Sequence, residues 1–256
     1  MFDQKQIVSS IMKFYKSASK EEENEFMRWS PTRKRFSSVS SASEFFIGSL
    51  LDQGQKADRA WKGGEHFVRN YYPENTIWKD IADTHFSTLK STCTKGFEGT
   101  AFASRFNVNN FAEWLRKNAE IMNEKYDGDP RNIWNYIASK DVDIIYHRLQ
   151  EFYGIGDAIA KMMQFILVRN YGVAGGEASK KMLSVKPDIH LQRVCYRLGL
   201  IDEMKAVKVA DWATEAKLAS PADFDAAVWV IGRDYCGESK SNCVECPLDS
   251  VCAKIK

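Results

Sequence analysis

The chain has 256 residues, of which 44% are hydrophobic and 12% aromatic, enough for one large core or two smaller ones and too apolar for a disordered protein. A formal net charge of +2 excludes capture of a polyanion by bulk charge, so any such partner must be met by a local basic face. No apolar run reaches the roughly 20 residues of a membrane span. The opening Met-Phe-Asp-Gln-Lys-Gln lacks the layout of a secretory signal, so the chain reads as cytoplasmic, with no membrane partner.

In chain order the pattern predicts helices almost throughout. Gln6–Tyr15 and Glu21–Trp29 come first, then a serine-rich stretch, Ser37–Ser43, which reads as a linker and boundary. Ser41 followed by Glu44 has capping-box spacing ahead of the apolar Phe45–Leu51. Ala57–Val68, Thr76–Ala82, Phe86–Ser91, a broken Phe97–Asn118 and Ala119–Tyr126 follow, with a turn at Asp127–Pro130. Arg131–Ala138, Val142–Phe152, Asp157–Asn170, Pro187–Leu198, Asp202–Val209 and Pro221–Ile231 complete the helices, with a loop at Gly172–Ser179. No stretch alternates with period two for long enough to propose a sheet, so the fold class is all-α.

Three features carry chemistry. Leu149–Ala160 joins two apolar helical stripes through Gly154-Ile155-Gly156. The glycines permit positive φ, Ile155 plugs back between the helices, and the turn offers backbone N–H groups at a helix N-terminus to one phosphate. A plain helix–helix corner would use the same residues. Basic residues cluster at Arg33-Lys34-Arg35, at Lys180-Lys181, and from Lys186 through Arg193 to Arg197. Finally, Cys236, Cys243, Cys246 and Cys252 have the spacing Cys-x6-Cys-x2-Cys-x5-Cys. With one tight knuckle and two looser partners, this spacing favours a [4Fe–4S] cluster over a zinc site or disulfides. The other two thiols, Cys93 and Cys195, read as buried and free.

The hairpin, the segment Lys186-Pro-Asp-Ile-His-Leu-Gln-Arg-Val-Cys-Tyr-Arg-Leu-Gly199 and the cysteine loop occur in one order. Together they resemble the helix-hairpin-helix DNA glycosylases of the endonuclease III and adenine-glycosylase type, specifically over residues 140–256 and more weakly over 40–70. The resemblance implies two helical domains flanking a DNA-binding cleft into which a damaged or modified base of double-stranded DNA is flipped. One is a six-helix domain over 42–170 that ends with the hairpin. The other is a cluster domain that joins the N-terminal helices, 1–41, to 171–256. The chain would act as a monomer, in the cytoplasm, at the nucleoid or in a nucleus.

By the same resemblance Asp188 is the catalytic carboxylate, although its place after Pro187 also suits a helix cap. Gly154, Ile155, Gly156, Lys161 and Arg193 fall on the DNA side, with His190 and Arg193 mainly structural. Gln53 or Gln55 would fill the gap left by the flipped base. Where lyase-competent members carry a lysine, this chain has Ala158, so the expectation is a monofunctional glycosylase that activates water. A bifunctional enzyme using another amine such as Lys161, and a non-catalytic iron–sulfur DNA-binding protein, are the alternatives. The adenine-glycosylase glutamate would fall near Gly48, so that activity is not expected; Asp52 is the nearest acid. The excised base is not legible.

Overall fold

A computed structural model describes residues 3–18, 36–53, 57–97 and 108–255. The expected helix over 21–29, the basic run 33–35 and Gln55 lie outside the described residues. The described residues form α-helices and short 3-10 turns, with no strand; Cys236 and Ser241 form one isolated bridge. No helix among them is long and apolar enough to cross a membrane.

The chain divides into two compact units. One joins Met1–Arg28 to Gly176–Lys256, and the other is Trp29–Gly175.

The central unit is built round α2 (Val39–Leu51), whose residues from Ser41 onward are all buried. A helix apolar on every side belongs at the centre of a core. Its closest neighbour is α3 (Ala57–Tyr71): an added Cβ at Gly64 would stand 2.5 Å from the Gly48 nitrogen, so the two backbones touch. A side chain at Gly48 would meet the Trp61 ring at 2.8 Å, which leaves no room there for a glutamate. Next come α4 (Ile77–Asp83), α5 (Phe86–Gly96) and α6 (Val108–Tyr126). Their rings close the core, with Phe46 edge-on to both Trp78 and Phe152 and Phe67 stacked on Phe97. The buried Trp78 indole donates to the Ser43 hydroxyl at 2.9 Å, which satisfies both groups. The hairpin helices α7 (Asp143–Leu149) and α8 (Asp157–Tyr171) end the unit. Gly172, at φ +65°, caps α8.

The terminal unit contains α1 (Gln4–Ala18), a short α9 (Glu177–Lys180), α10 (Ile189–Arg197), α11 (Ala206–Glu215) and α12 (Pro221–Asp234). Ile7 and Ile11 of α1 join Leu191, Val194, Trp212, Phe224 and Ile231 in one core. The Trp212 indole donates to Gln4 at 3.3 Å. The N-terminal helix is thus an integral wall of a domain whose other helices lie at the far end of the chain.

Several sequence expectations need correction. The stretch Ser37–Ser43 is no linker: Ser38 caps α2, and the reciprocal box is Ser38 with Ser41, one turn earlier than expected. Glu44 is instead buried and bonded to Arg69 at 2.9 Å. The helices expected at Phe97–Asn118 and Ala119–Tyr126 are one from Val108 onward, because α6 runs continuously to Tyr126; residues 98–107 lie outside the described residues. Asn118 sits fully buried in mid-helix, donating to the Tyr153 carbonyl at 3.0 Å and accepting the Tyr153 N–H at 2.8 Å. The expected helix over 131–138 is only a 3-10 turn, Pro130–Ile133, and Tyr136 beyond it has φ +63°. The helix expected from Asp202 starts at Ala206, and the loop after Gly172 contains α9.

Candidate functional site

The hairpin is set by three different devices. Gly154 adopts φ +81°, and a Cβ there would lie 2.7 Å from the Trp114 ring. Ile155 is buried, 4% exposed. Gly156 differs: it caps α8 at φ −83°, ψ −178°, which any residue can adopt, and an added Cβ would meet nothing within 4 Å. The expectation that both glycines are needed for positive φ therefore holds for Gly154 only. Among the described residues the missing side chain at 156 serves no packing, and residues 156–158 at the start of α8 are exposed. Asn118 pins the segment before the turn. The Gln53 carboxamide pins the turn itself, donating to the carbonyls of Gly154 at 2.7 Å and Leu50 at 3.0 Å. Gln53 is thus turned onto its own protein.

Substitution separates the two glycines. Gly154→Ala combines a left-handed backbone with a ring overlap and should lower stability by about 1–3 kcal/mol, seen as a reduced melting temperature. Gly156→Asp should leave the melting temperature within a degree or two and, if the turn meets a phosphate as the resemblance implies, weaken duplex binding whatever the base sequence. Unchanged DNA affinity in Gly156→Asp would make the turn a corner and nothing more.

Behind the turn, Asp157 accepts the Tyr146 hydroxyl at 2.6 Å and pairs with Lys161 at 3.1 Å. The Tyr146 hydroxyl, with Lys161 in support, holds the Asp157 carboxyl below the usual range. Lys161 is therefore engaged with its own helix start. Ala158, beside it, is exposed.

Asp188 belongs to the terminal unit and begins α10. Its Oδ1 accepts the N–H groups of His190 at 2.9 Å and Leu191 at 3.0 Å, and its Oδ2 is 2.7 Å from the Lys186 ammonium. The side chain is 22% exposed. The capping role is real; it also fixes the carboxylate in direction at the positive end of a helix. One turn on, Arg193 is 4% exposed and donates to the carbonyls of Cys236 at 2.6 Å and Gly232 at 2.9 Å. It also reaches His190 Nδ1 at 3.0 Å. Burial holds the His190 imidazole below its usual value, which suits a neutral ring accepting at Nδ1. Arg193 is thus a strut to the cysteine loop, and the reading that puts it against DNA is corrected: its guanidinium is buried and occupied.

Arg197 grips the same loop, donating to Cys236 Sγ at 3.3 Å, the Gly237 carbonyl at 2.8 Å and the Ser241 hydroxyl at 2.9 Å. The basic cluster from Lys186 to Arg197 is therefore no solvated face; each member is turned onto the protein. Sequence reasoning missed Lys186, Tyr146 and Asn118 as partners of the site. Only Lys186 had a signal, its place two residues before Asp188.

None of the six cysteines forms a disulfide, and Cys93 and Cys195 are buried. Burial pushes the Cys93 thiol up to about 12. Cys236, Cys246 and Cys252 pack against the core of the terminal unit, and Cys243 is exposed. Burial pushes the Cys246 and Cys252 thiols up, and the other cysteines of the loop add to the rise. Among the described residues no three cysteine, histidine or acidic side chains close to the geometry of a single metal ion.

No protein-family model and no curated protein sequence matches the chain. Solved structures do. One is a trapped covalent intermediate of endonuclease III with DNA, an estranged-adenine complex, at 15% identity and a TM-score of 0.60. The match covers 99% of this chain and 97% of that one. Another is a thermostable thymine-DNA glycosylase, at 17% identity and a TM-score of 0.60, covering 98% of this chain and 95% of that one. At these identities the likeness is one of fold, and it extends over nearly the whole length of each chain.

Proposed function

We propose that this chain, which has the all-helical fold of the helix-hairpin-helix DNA glycosylases, excises a damaged or modified base from double-stranded DNA by hydrolysis. The observation that carries the reading is Asp188: a part-buried carboxylate aimed by two helix N–H groups, on the fold that those proteins use. Breaking an N-glycosidic bond builds positive charge on the sugar as the base leaves with the bonding electrons. A carboxylate beside the sugar stabilises that charge and takes a proton from the water that adds to C1′. The released base is protonated in turn, so the products are free base and an intact abasic site. The open cap at Gly156 is suited to hold a backbone phosphate and reads no base. Duplexes each carrying one lesion, incubated with the protein and then analysed with and without alkali, test the reading. Cleavage confined to alkali-treated samples supports it, and no release from any lesion sinks it.

We assign the cysteine loop to a [4Fe–4S] cluster held by Cys236, Cys243, Cys246 and Cys252. The spacing Cys-x6-Cys-x2-Cys-x5-Cys carries the assignment, together with the packing of Cys236, Cys246 and Cys252 against one core. Donors already face the sulfurs: Arg197 at Cys236 and the Lys254 N–H at Cys252, 3.4 Å away. A bound cluster would supply a staple for a loop with little core of its own. Protein purified without oxygen should be brown with about four irons and four sulfides per chain, and Cys243→Ser should lose colour and solubility. Colourless protein carrying one zinc would refute the assignment.

A further inference from the structure

Lys186-Pro187-Asp188 is a closed unit. The Asp188 N–H donates to the Lys186 carbonyl at 2.7 Å, with Pro187 fixing the backbone between them. The Lys186 N–H donates at 2.5 Å to Oδ2 of Asp225, which is 3% exposed. This turn folds the Lys186 side chain back onto Asp188, Nζ to Oδ2 at 2.7 Å, with the side chains 18% and 22% exposed. Exposed ion pairs such as Lys205–Glu203 and Lys208–Asp202 are screened by water and salt; this one is screened much less.

The pair has an electrostatic consequence. An ammonium at that distance turns the carboxylate into a nearly neutral dipole, whose field falls off faster than that of a charge. Such a dipole stabilises a sugar cation poorly, so the reaction assigned to Asp188 requires the ammonium to leave. The donors on Oδ1 are peptide N–H groups fixed in a helix and cannot leave. Lys186 is carried on a flexible four-carbon stem and can. A DNA substrate brings the competing anion, a backbone phosphate, for which a lysine ammonium is a common partner.

Resting on the reading of Asp188 as the carboxylate of a DNA glycosylase, we infer that Lys186 is an exchangeable counter-ion. It holds Asp188 in the free protein and passes to a DNA phosphate in the complex, so Asp188 bears its full charge only when DNA is bound. Lys186 is then both a DNA contact and a guard on the catalytic group.

The test uses duplexes with either a tetrahydrofuran or a cationic pyrrolidine in place of one sugar, the pyrrolidine mimicking the sugar cation. Wild type should prefer the pyrrolidine duplex, and Asp188→Asn should lose that preference. Lys186→Met should bind every duplex several-fold more weakly, with the slope of log Kd against log salt reduced by about one. Its preference for pyrrolidine should stay within twofold of wild type, because the lysine has already left Asp188 in both complexes. Lys186→Arg should restore the slope. The backbone bond to Asp225 does not depend on the side chain, so the variants should fold; if Lys186→Met does not melt like wild type, Lys186→Gln takes its place. A pyrrolidine preference that rises tenfold with an unchanged salt slope would mean that Lys186 stays on Asp188. A preference that falls to the Asp188→Asn level would mean that Lys186 only orients the carboxylate. Either result overturns the inference while leaving the glycosylase reading intact. Wild type without any pyrrolidine preference would overturn the reading itself.

Discussion

Asp188→Asn should lower base excision by about 10³-fold or more, roughly 4 kcal/mol of transition-state stabilisation, while the protein folds as before. The substitution is unusually clean at this position. Asparagine caps a helix as well as aspartate does, so the bonds to the N–H groups of His190 and Leu191 can persist and α10 keeps its start. What is lost is the negative charge, and with it the ion pair to Lys186. Duplex binding should be retained or improved, since a carboxylate near the phosphates is gone and Lys186 is released. Single-turnover excision with enzyme in excess, beside a binding isotherm on undamaged duplex, separates the two effects. Wild-type turnover in the Asn variant would reduce Asp188 to a helix cap.

Much of this was legible in the chain because local rules decide it. The stripe Val142, Ile145, Leu149 and the glycine at 154 announce a helical hairpin. The misreadings share a cause: a polar residue looks alike in sequence whether it caps, crosses a core or faces water. Ser37–Ser43 has the composition of a linker, yet two of its serines cap a buried helix. Asn118 is the last residue of one expected helix, yet it lies inside α6 and its carboxamide serves a peptide group 35 residues away. Arg193 and Arg197 look like a basic face, yet their partners are carbonyls and a sulfur some 40 residues on, in the cysteine loop. Gly156 passes for a conformational glycine, and only its ordinary φ and the empty space beside it show otherwise. Periodicity reports which side of a helix is buried, but not which distant group will meet a charge.

Wild-type protein incubated with its lesion duplex and borohydride should yield no covalent protein–DNA adduct, and strands should break only after alkali. Trapping requires an unprotonated amine that attacks C1′ and forms an imine for the hydride to reduce. By the resemblance drawn from the sequence, Ala158, exposed in the first turn of α8, takes the hairpin position that carries a lysine in lyase-competent glycosylases. Lys161, the next amine along that helix, is bound to Asp157 beneath the Tyr146 ring, and an ammonium held in an ion pair is a poor nucleophile. Lys186 stands 2.7 Å from Asp188, and in the proposed complex it is committed to a phosphate. All three arrangements point to hydrolysis that stops at the abasic site. Efficient trapping by the wild type would refute the monofunctional assignment. Comparing adduct yields in Lys186→Met and Lys161→Met would then name the amine, and loss in Lys186→Met would also show that this lysine meets the sugar rather than a phosphate.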